Sequence, residues 1–448
     1  MAAQREIFPS QAYIPTTPQD QTEMFRTIGI NSIDELFEDI PPQIRDPHID
    51  LPLPLTEMEL MAEMKIFAAS NRSLPSFLGA GVYKRFQPAI VRAITGRDEF
   101  LTSYTPYQAE ISQGTLQTSF ENETMMVRLF DMEVANTGMY DGATAMAEAA
   151  LMAVRVQREI RKTEKKKIVA LDTVHPNWLD VTRTYLWGRD LELSVVSEDS
   201  LNFDETVNVA AVIVQSPNYL GNIEDLKALG EFAHKRGALF IAAQDPISVG
   251  MLKPAGEFGA DIVVAEGQSL GHLPNFGGVN LGIFTSRQEY LRKMPGRIVG
   301  QAKDEDGRVG YVLTIQPREQ HIARERATSN ICTAEQLIAT AATIYLAALG
   351  DDGLKSVAAL NYHNAHYLAR KIAEIPGYKL PFEDKHFFNE FTVECPVPPV
   401  EINAYLLRNG VIGGRDVSDK VDNGMLLCAT EMTTREQMDN LVDLLKAA

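Results

Sequence analysis

The chain has 448 residues, of which 45% are hydrophobic, and it carries a formal net charge of −18 at pH 7. This length suits two or three domains and this apolar content suffices for a sizeable core, which excludes a disordered chain. The acidic charge argues against a nucleic acid or an anionic membrane as partner, because both carry phosphate charge.

The N-terminal part of the chain predicts short helices. Ser32 and Glu35 have the spacing of a capping box, in which two side chains satisfy the free backbone amides of a helix start. Thr56 and Glu59 repeat this spacing ahead of a helix over Leu60–Ala69. Pro52 and Pro54 just upstream of it favour an extended linker or an arm that wraps on something.

The middle of the chain alternates between short apolar runs and helical patterns, with Gly237 at a helix end. Such runs suit strands that are buried on both faces, and the alternation predicts a mostly parallel sheet covered by helices. The apolar runs are Ile168–Leu171, Leu193–Val196, Ala211–Val214, Leu239–Ala243, Ile262–Ala265 and Leu281–Phe284.

The C-terminal part predicts a small α+β domain after a long helix that ends at Gly350. Thr333 and Gln336 have capping-box spacing at the start of that helix. The whole pattern favours an α/β protein with the type I fold of pyridoxal-phosphate (PLP) enzymes, a mostly parallel doubly wound sheet. The expected parts are an N-terminal arm over 1–75, a large domain over 76–333, and a linking helix with the small domain over 334–448.

Small residues stand at a predicted helix start in Gly142, Ala143 and Thr144. Backbone amides at such a start can hold an anion, and type I enzymes bind the cofactor phosphate in this place. Close packing of the helix against the sheet explains the same residues, and the motif alone favours packing.

Asp245 follows the strand Leu239–Ala243, where type I enzymes hold the pyridine nitrogen with an acid. An Asp before a proline is also a common turn, so both interpretations stay open. The next loop, Glu266–His272, contains no lysine, although the Schiff-base lysine belongs there. Its His272 suits a vestigial cofactor-like site or an ordinary structural role. We expect that the chain is not a complete PLP enzyme.

Three long stretches resemble the alpha subunit of the P-protein family of the glycine cleavage system, and the likeness covers nearly the whole chain. They are Tyr104–Gly114, Gly138–Ala145 and Arg318–Thr333. The resemblance implies a subunit that works with a beta subunit. Together they would decarboxylate glycine on PLP held by the beta subunit and transfer the aminomethyl group to the lipoyl arm of H-protein.

The resemblance also assigns a role to Tyr104, Thr105, Tyr107 and Gln108, which it places in the active site of the beta subunit. The proline between the two tyrosines disfavours a helix and displays them on a loop. Interface packing explains two tyrosines equally well. The rival functions are a self-sufficient PLP enzyme and a structural scaffold subunit.

Cellular location is predicted from three features. The residues 1–6 hold no apolar signal core, and no apolar run is expected to be long enough to span a bilayer. The three cysteines are far apart and lack metal-ligand spacing, which favours reduced thiols. We therefore expect a cytoplasmic protein.

Overall fold

A computed structural model describes residues 16–45, 47–48, 50–201, 208–333 and 335–448. The residues 1–6, on which the expectation of no signal core rests, lie outside this description. The chain divides into two compact units, Met1–Ser73 and Leu74–Ala448, called here the N-terminal unit and the main unit.

The N-terminal unit contains short helices, as predicted. Thr56 and Glu59 form the expected capping box, because each side chain accepts a hydrogen bond from the other's backbone N–H. The capping box predicted for Ser32 and Glu35 was wrong. The Ser32 side chain makes no capping hydrogen bond, and the Glu35 carboxylate accepts a hydrogen bond from the Asn31 N–H at 3.0 Å. The helices are α1 (Pro18–Ile28), a 3-10 helix (Ile33–Phe37) and α2 (Glu57–Ser70).

A seven-stranded sheet forms the centre of the main unit in the described residues, in the order β1-β7-β6-β5-β4-β2-β3. The five strands from β2 to β6 pair in parallel, whereas β7 is antiparallel to both β6 and β1. The mostly parallel sheet is therefore confirmed. The strands are β1 (Val134–Ala135), β2 (Lys167–Leu171), β3 (Leu193–Val196), β4 (Val209–Gln215), β5 (Leu239–Ala243), β6 (Ile262–Glu266) and β7 (Gly282–Ser286).

The helix Gly142–Glu159, called α6, packs on this sheet through its alanine-rich face, and Ala145, Ala149 and Ala153 are fully buried. A hairpin of β8 (Ile298–Lys303) and β9 (Val309–Thr314) follows the sheet. The helices in this part are α3 (Ala89–Thr95), α4 (Asp98–Leu101), α5 (Gln113–Phe130), α6 (Gly142–Glu159), α7 (Pro176–Trp187), α8 (Leu226–Lys235) and α9 (Gln320–Ala323).

Helix α10 (Gln336–Ala373) is longer than predicted, because it continues past a kink at Gly350, where φ is 61° and ψ is −172°. The capping box predicted for Thr333 and Gln336 was wrong, since Glu335 is the N-cap residue and makes no side-chain cap. Among the described residues, α10 is the one helix long and apolar enough to cross a membrane, which the sequence analysis did not expect. Its first half packs in the core, where Tyr345 is 1% exposed.

The C-terminal part of the main unit is an α+β arrangement with its own apolar cluster, which includes Leu368, Val393, Leu427 and Leu441. Its strands pair in the antiparallel order β10-β12-β11. The elements are β10 (Glu390–Glu394), α11 (Pro399–Arg408), β11 (Arg415–Asp416), β12 (Gly424–Cys428) and α12 (Arg435–Ala447).

Candidate functional site

The predicted phosphate-binding residues Gly142, Ala143 and Thr144 form the first turn of α6 and are buried. The Gly142 N–H donates a hydrogen bond to Glu266 Oε2 at 3.0 Å. A carboxylate of this chain therefore takes one of the amides that a phosphate oxygen would use. A Cβ at Gly142 would lie 2.4 Å from the Trp178 ring, so packing requires glycine here.

Asp245 lies just beyond β5 and has both turn contacts and a charged neighbour. Its Oδ1 accepts hydrogen bonds from the N–H groups of Ile247 at 2.7 Å and Ser248 at 3.4 Å. Its Oδ2 lies 3.7 Å from Nη2 of Arg85, whose side chain is fully buried. A guanidinium of the same chain thus faces the carboxylate that type I enzymes offer to the pyridine nitrogen.

Arg85 is the centre of a buried polar cluster. Its Nη1 donates to Asn361 Oδ1 and, at 3.1 Å, to Glu431 Oε2. Burial alone would lower the pKa of Arg85, but the carboxylates of Glu431 and Asp245 outweigh burial and raise this pKa above its usual value. The cluster holds Arg85 charged and ties it to two distant parts of the chain.

The space beside this cluster is small and acidic. Glu390 accepts hydrogen bonds from the Ala80 N–H at 2.6 Å and the Tyr83 hydroxyl at 2.7 Å. Burial raises the pKa of Glu390 to about 7, and burial likewise raises the pKa of Glu266 to about 7. The cavity that these carboxyls line together with Asp245 has a volume of about 50 Å³, whereas small-molecule sites usually span roughly 300–1,000 Å³. PLP, which carries a phosphate, does not fit this place in the chain.

The loop after β6 supplies no amine to this cavity. It contains no lysine over Glu266–His272, and the nearest lysines in sequence form ion pairs elsewhere, Lys253 with Glu257 and Lys293 with Glu159. Burial lowers the pKa of His272, whose carbonyl accepts a hydrogen bond from Gln268. His272 is not one of the residues that line the cavity. The structure therefore brings Gly142 and Asp245 to one region and leaves His272 beside it.

The segment Tyr104–Gln108 forms an irregular loop, as its proline predicts. Pro106 is buried, and the Tyr107 N–H donates to the Thr105 carbonyl at 2.9 Å. Tyr104 is 68% exposed and Tyr107 is 43% exposed, and Gln108 is also exposed. Both aromatic side chains are thus available at the surface of this chain.

Tyr107 rests on a buried ion pair that no sequence motif indicated. Its hydroxyl accepts a hydrogen bond from Arg297 Nη2 at 2.6 Å, and the guanidinium lies 5.0 Å from the ring centre. Arg297 Nε lies 3.6 Å from Glu319 Oε2, and both side chains are 7% exposed. Glu319 also lies 3.6 Å from His321 Nδ1. These contacts fix the position of Tyr107.

A cavity of about 170 Å³ adjoins the loop, and its lining combines hydroxyl and amide groups with apolar side chains and the charged groups of Arg297 and Glu335. The Tyr104 hydroxyl lies 3.2 Å from Thr333 Oγ1 on one side. Gln336 Oε1 accepts from the Ser119 hydroxyl at 2.9 Å, and its buried Nε2 has no partner among the described residues. The surface can therefore offer several hydrogen bonds to a polar group from outside the chain.

Glu123 lies behind this cavity. It accepts hydrogen bonds from the Thr137 hydroxyl at 2.5 Å and the Val299 N–H at 2.9 Å, and burial raises its pKa to about 8. Thr137 and Val299 line the cavity. The Glu123 carboxyl thus supports the cavity wall through its hydrogen bonds to Thr137 and Val299.

Comparisons with known proteins agree with this geometry. The family model of the glycine cleavage system P-protein matches residues 11–445. The chain belongs to the P-protein family. A relative in Chlorobium limicola, named probable glycine dehydrogenase (decarboxylating) subunit 1, is 46% identical over 97% of this chain and 99% of its own length.

Solved structures place this P-protein chain in the type I fold of PLP enzymes. The inhibitor-bound crystal structure of the glycine decarboxylase (P-protein) of the glycine cleavage system is 42% identical, with a TM-score of 0.89 over 97% of this chain and 99% of the other. Glutamate decarboxylase from Lactobacillus brevis has a TM-score of 0.65 over 90% of this chain and 94% of its own, at 12% identity, and shares the fold alone. The predicted fold class is confirmed.

Some site residues could have been found in the sequence. Glu319 and His321 lie inside the stretch Arg318–Thr333, on which the family resemblance rests, and Glu266 opens the loop without lysine. No local sequence pattern indicated a site role for Arg85 or Arg297, because their partners Glu431 and Glu319 are not neighbours in sequence.

Proposed function

We propose that this chain is subunit 1, the alpha subunit, of a two-subunit glycine dehydrogenase (decarboxylating). One observation carries the proposal. The chain has the fold of a PLP enzyme, but the place where such enzymes hold the cofactor, called here the cofactor place, is a cavity of about 50 Å³ lined by the carboxyls of Asp245, Glu266 and Glu390. Arg85 lies behind it, 3.7 Å from Asp245. The relatives of equal length that carry the name subunit 1 support the same role.

In this proposal the beta subunit holds PLP, which supplies the electron sink for the decarboxylation of glycine. The aminomethyl group then passes to the lipoyl arm of H-protein. No step of this reaction runs through the filled cofactor place of the alpha subunit. The protein would work in the cytoplasm as a dimer of alpha–beta pairs.

The exposed side chains of the N-terminal unit support an obligate partner. Helix α2 has no buried residue, and Met58, Ile66 and Phe67 on it are 80%, 72% and 59% exposed. Leu53 just before it is 89% exposed. In the proposed complex these side chains would be buried against the partner. Permanent interfaces of related subunits commonly bury roughly 2,000 Å² or more.

The loop Tyr104–Gln108 is the part of the chain that we assign to the active site of the partner. Tyr104 offers an exposed ring and a hydroxyl whose contact within the chain is with Thr333, at 3.2 Å. A phenol can donate to a carboxylate or a phosphate and can pack against a planar ring. The loop would thus help to bind the substrate and exclude water from the partner's site.

A scaffold role without a share in the active site is the second candidate. The hydrogen bond from Arg297 to the Tyr107 hydroxyl favours it, because this bond engages the hydroxyl inside the chain. Only the effect of tyrosine variants on turnover separates the two roles.

The experiment is reconstitution from separate parts. Alpha alone, beta alone and the co-purified pair receive PLP, lipoylated H-protein and glycine labelled at the carboxyl carbon, and released labelled carbon dioxide is measured. We expect release by the pair, little by beta alone and none by alpha alone. Full activity of beta alone, with alpha remaining monomeric, would refute the proposal.

A further inference from the structure

A cavity of about 550 Å³ opens at the last turns of α6, where the residues before β2 meet the segment 325–328. A second cavity of about 300 Å³ adjoins it and shares Leu151, Arg155, Arg189 and Thr328. Such volumes are typical of small-molecule sites. Helix α6 has 18 residues, which gives it a length of about 27 Å, and the filled cofactor place lies at its other end.

The lining of the larger cavity is basic, although the whole chain has a net charge of −18. Seven basic side chains face three acidic ones, Glu159, Glu164 and Glu325. The basic residues are Arg155, Arg158, Lys165, Lys166, Arg189, Lys293 and Arg326.

The carboxylates at hand leave part of this positive charge unpaired. Glu159 already pairs with both Lys293 and Arg158, the latter at 2.7 Å. In the part of the chain that the structure describes, neither Arg189 nor Lys166 forms an ion pair. Glu148, the carboxylate that interacts electrostatically with Arg189, already lies 3.8 Å from Arg155.

Arg155 is the most buried cation of the cavity, with a side chain 17% exposed. The carboxylate closest to it, Glu148, is 3.8 Å away and accepts its hydrogen bond from Ser329 at 2.7 Å. The buried Nε of Arg155 has no partner among the described residues. Burial lowers the pKa of Arg155 and raises that of Glu148. Keeping both side chains charged in this buried position therefore costs free energy.

We propose that this cavity binds a small phosphate-bearing anion through Arg155, Arg189 and Lys166. A guanidinium offers paired donors that match phosphate oxygens, and an ammonium adds a point charge. A multiply charged phosphate matches a cavity with several unpaired cations better than a single carboxylate does. The bound anion would add a countercharge beside the Arg155 guanidinium, whose nearest carboxylate, Glu148, is 3.8 Å away.

The test is calorimetric titration of the full chain and of the co-purified alpha–beta complex with orthophosphate, pyrophosphate and acetate at constant ionic strength. We expect saturable binding of one pyrophosphate per chain in both preparations, weaker binding of orthophosphate and none of acetate. Comparable binding of acetate would replace the phosphate class by a general anion site and overturn the proposal.

The variants Arg189→Met and Arg155→Met should each weaken pyrophosphate binding by roughly ten- to a hundredfold, because each loses a hydrogen bond to a charged group. Arg408→Met on the exposed face of α11 is the matched control and should bind as the wild type does. Since Arg189 is exposed, its variant tests the site even if Arg155→Met fails to fold. Equal affinity in Arg189→Met and the control would overturn the proposal, as would loss of binding in the complex, which would make the cavity a subunit contact.

Discussion

Two regions of the main unit each contain a buried arginine paired with carboxylates, but one region is closed and the other carries exposed tyrosines. At the cofactor place, Arg85 is fully buried between Asp245 and Glu431. At the loop, Arg297 is buried in the same manner against Glu319, yet Tyr104 and Tyr107 above it are exposed. The first region is closed by its own side chains, whereas the second exposes its aromatic side chains at the surface of the chain.

The largest effect is expected from Arg85→Met, which leaves Asp245 and Glu431 buried without their cation. Removal of one partner of a buried ion pair costs about 3–5 kcal/mol. Urea unfolding of the isolated chain measures this loss. Arg97→Met is the control, because Arg97 and Glu99 form an exposed pair, and its unfolding curve should not move. An Arg85 variant as stable as that control would show that the closed region contributes nothing to folding.

The open region should respond in activity rather than in stability. Tyr104→Phe or Tyr107→Phe in the co-purified complex should lower kcat/KM by roughly ten- to a hundredfold, as expected for a lost hydrogen bond to a charged group. Tyr367→Phe, whose hydroxyl contacts Asp439 at the surface, is the matched control. If both loop variants keep wild-type turnover and glycine KM, the loop serves packing alone.

Gly142→Ala tests how tightly the closed region is packed. The added Cβ meets the Trp178 ring at 2.4 Å, and overpacking of this kind costs about 1–3 kcal/mol. Gly114→Ala on α5 is the control, because no heavy atom lies within 4 Å of its added Cβ. Thermal unfolding should separate the two variants, and equal midpoints would mean that Gly142 has free space beside it.

The smallest effect concerns the pH dependence of stability. The pKa of Glu266 is about 7 in the folded chain against an ordinary 4.5, so the folded state keeps a proton that the unfolded chain releases between these values. This stabilising contribution is present below pH 4.5 and is lost as the pH rises through about 7. Glu266→Gln has no such proton, and its unfolding free energy should fall less steeply over this range.

The fold was largely predictable because its strands are continuous apolar runs. Each of the six predicted runs, such as Ile262–Ala265, is a strand of the central sheet. Local patterns were less reliable where a tertiary contact competes with a cap. Gln336 has the right spacing for a capping box with Thr333, but its amide bonds to Ser119 and Thr333 contacts Tyr104.

The site was predictable only in its separate parts. Gly142 and Asp245 could be placed by their positions at a helix start and a strand end. Arg85 could not be placed, because its partner Glu431 is 346 residues away and no local sequence pattern indicates that the two pair. The missing lysine predicted an incomplete enzyme, but only the structure shows that side chains fill the space.

Borohydride reduction tests most directly whether the cofactor of the complex is held outside this chain. The isolated chain and the co-purified complex are incubated with PLP, reduced, digested and mapped for pyridoxyl-lysine. The filled cofactor place predicts stoichiometric label on a lysine of the beta subunit and none at a single site of this chain. Stoichiometric pyridoxyl-lysine at one position of this chain would contradict the account.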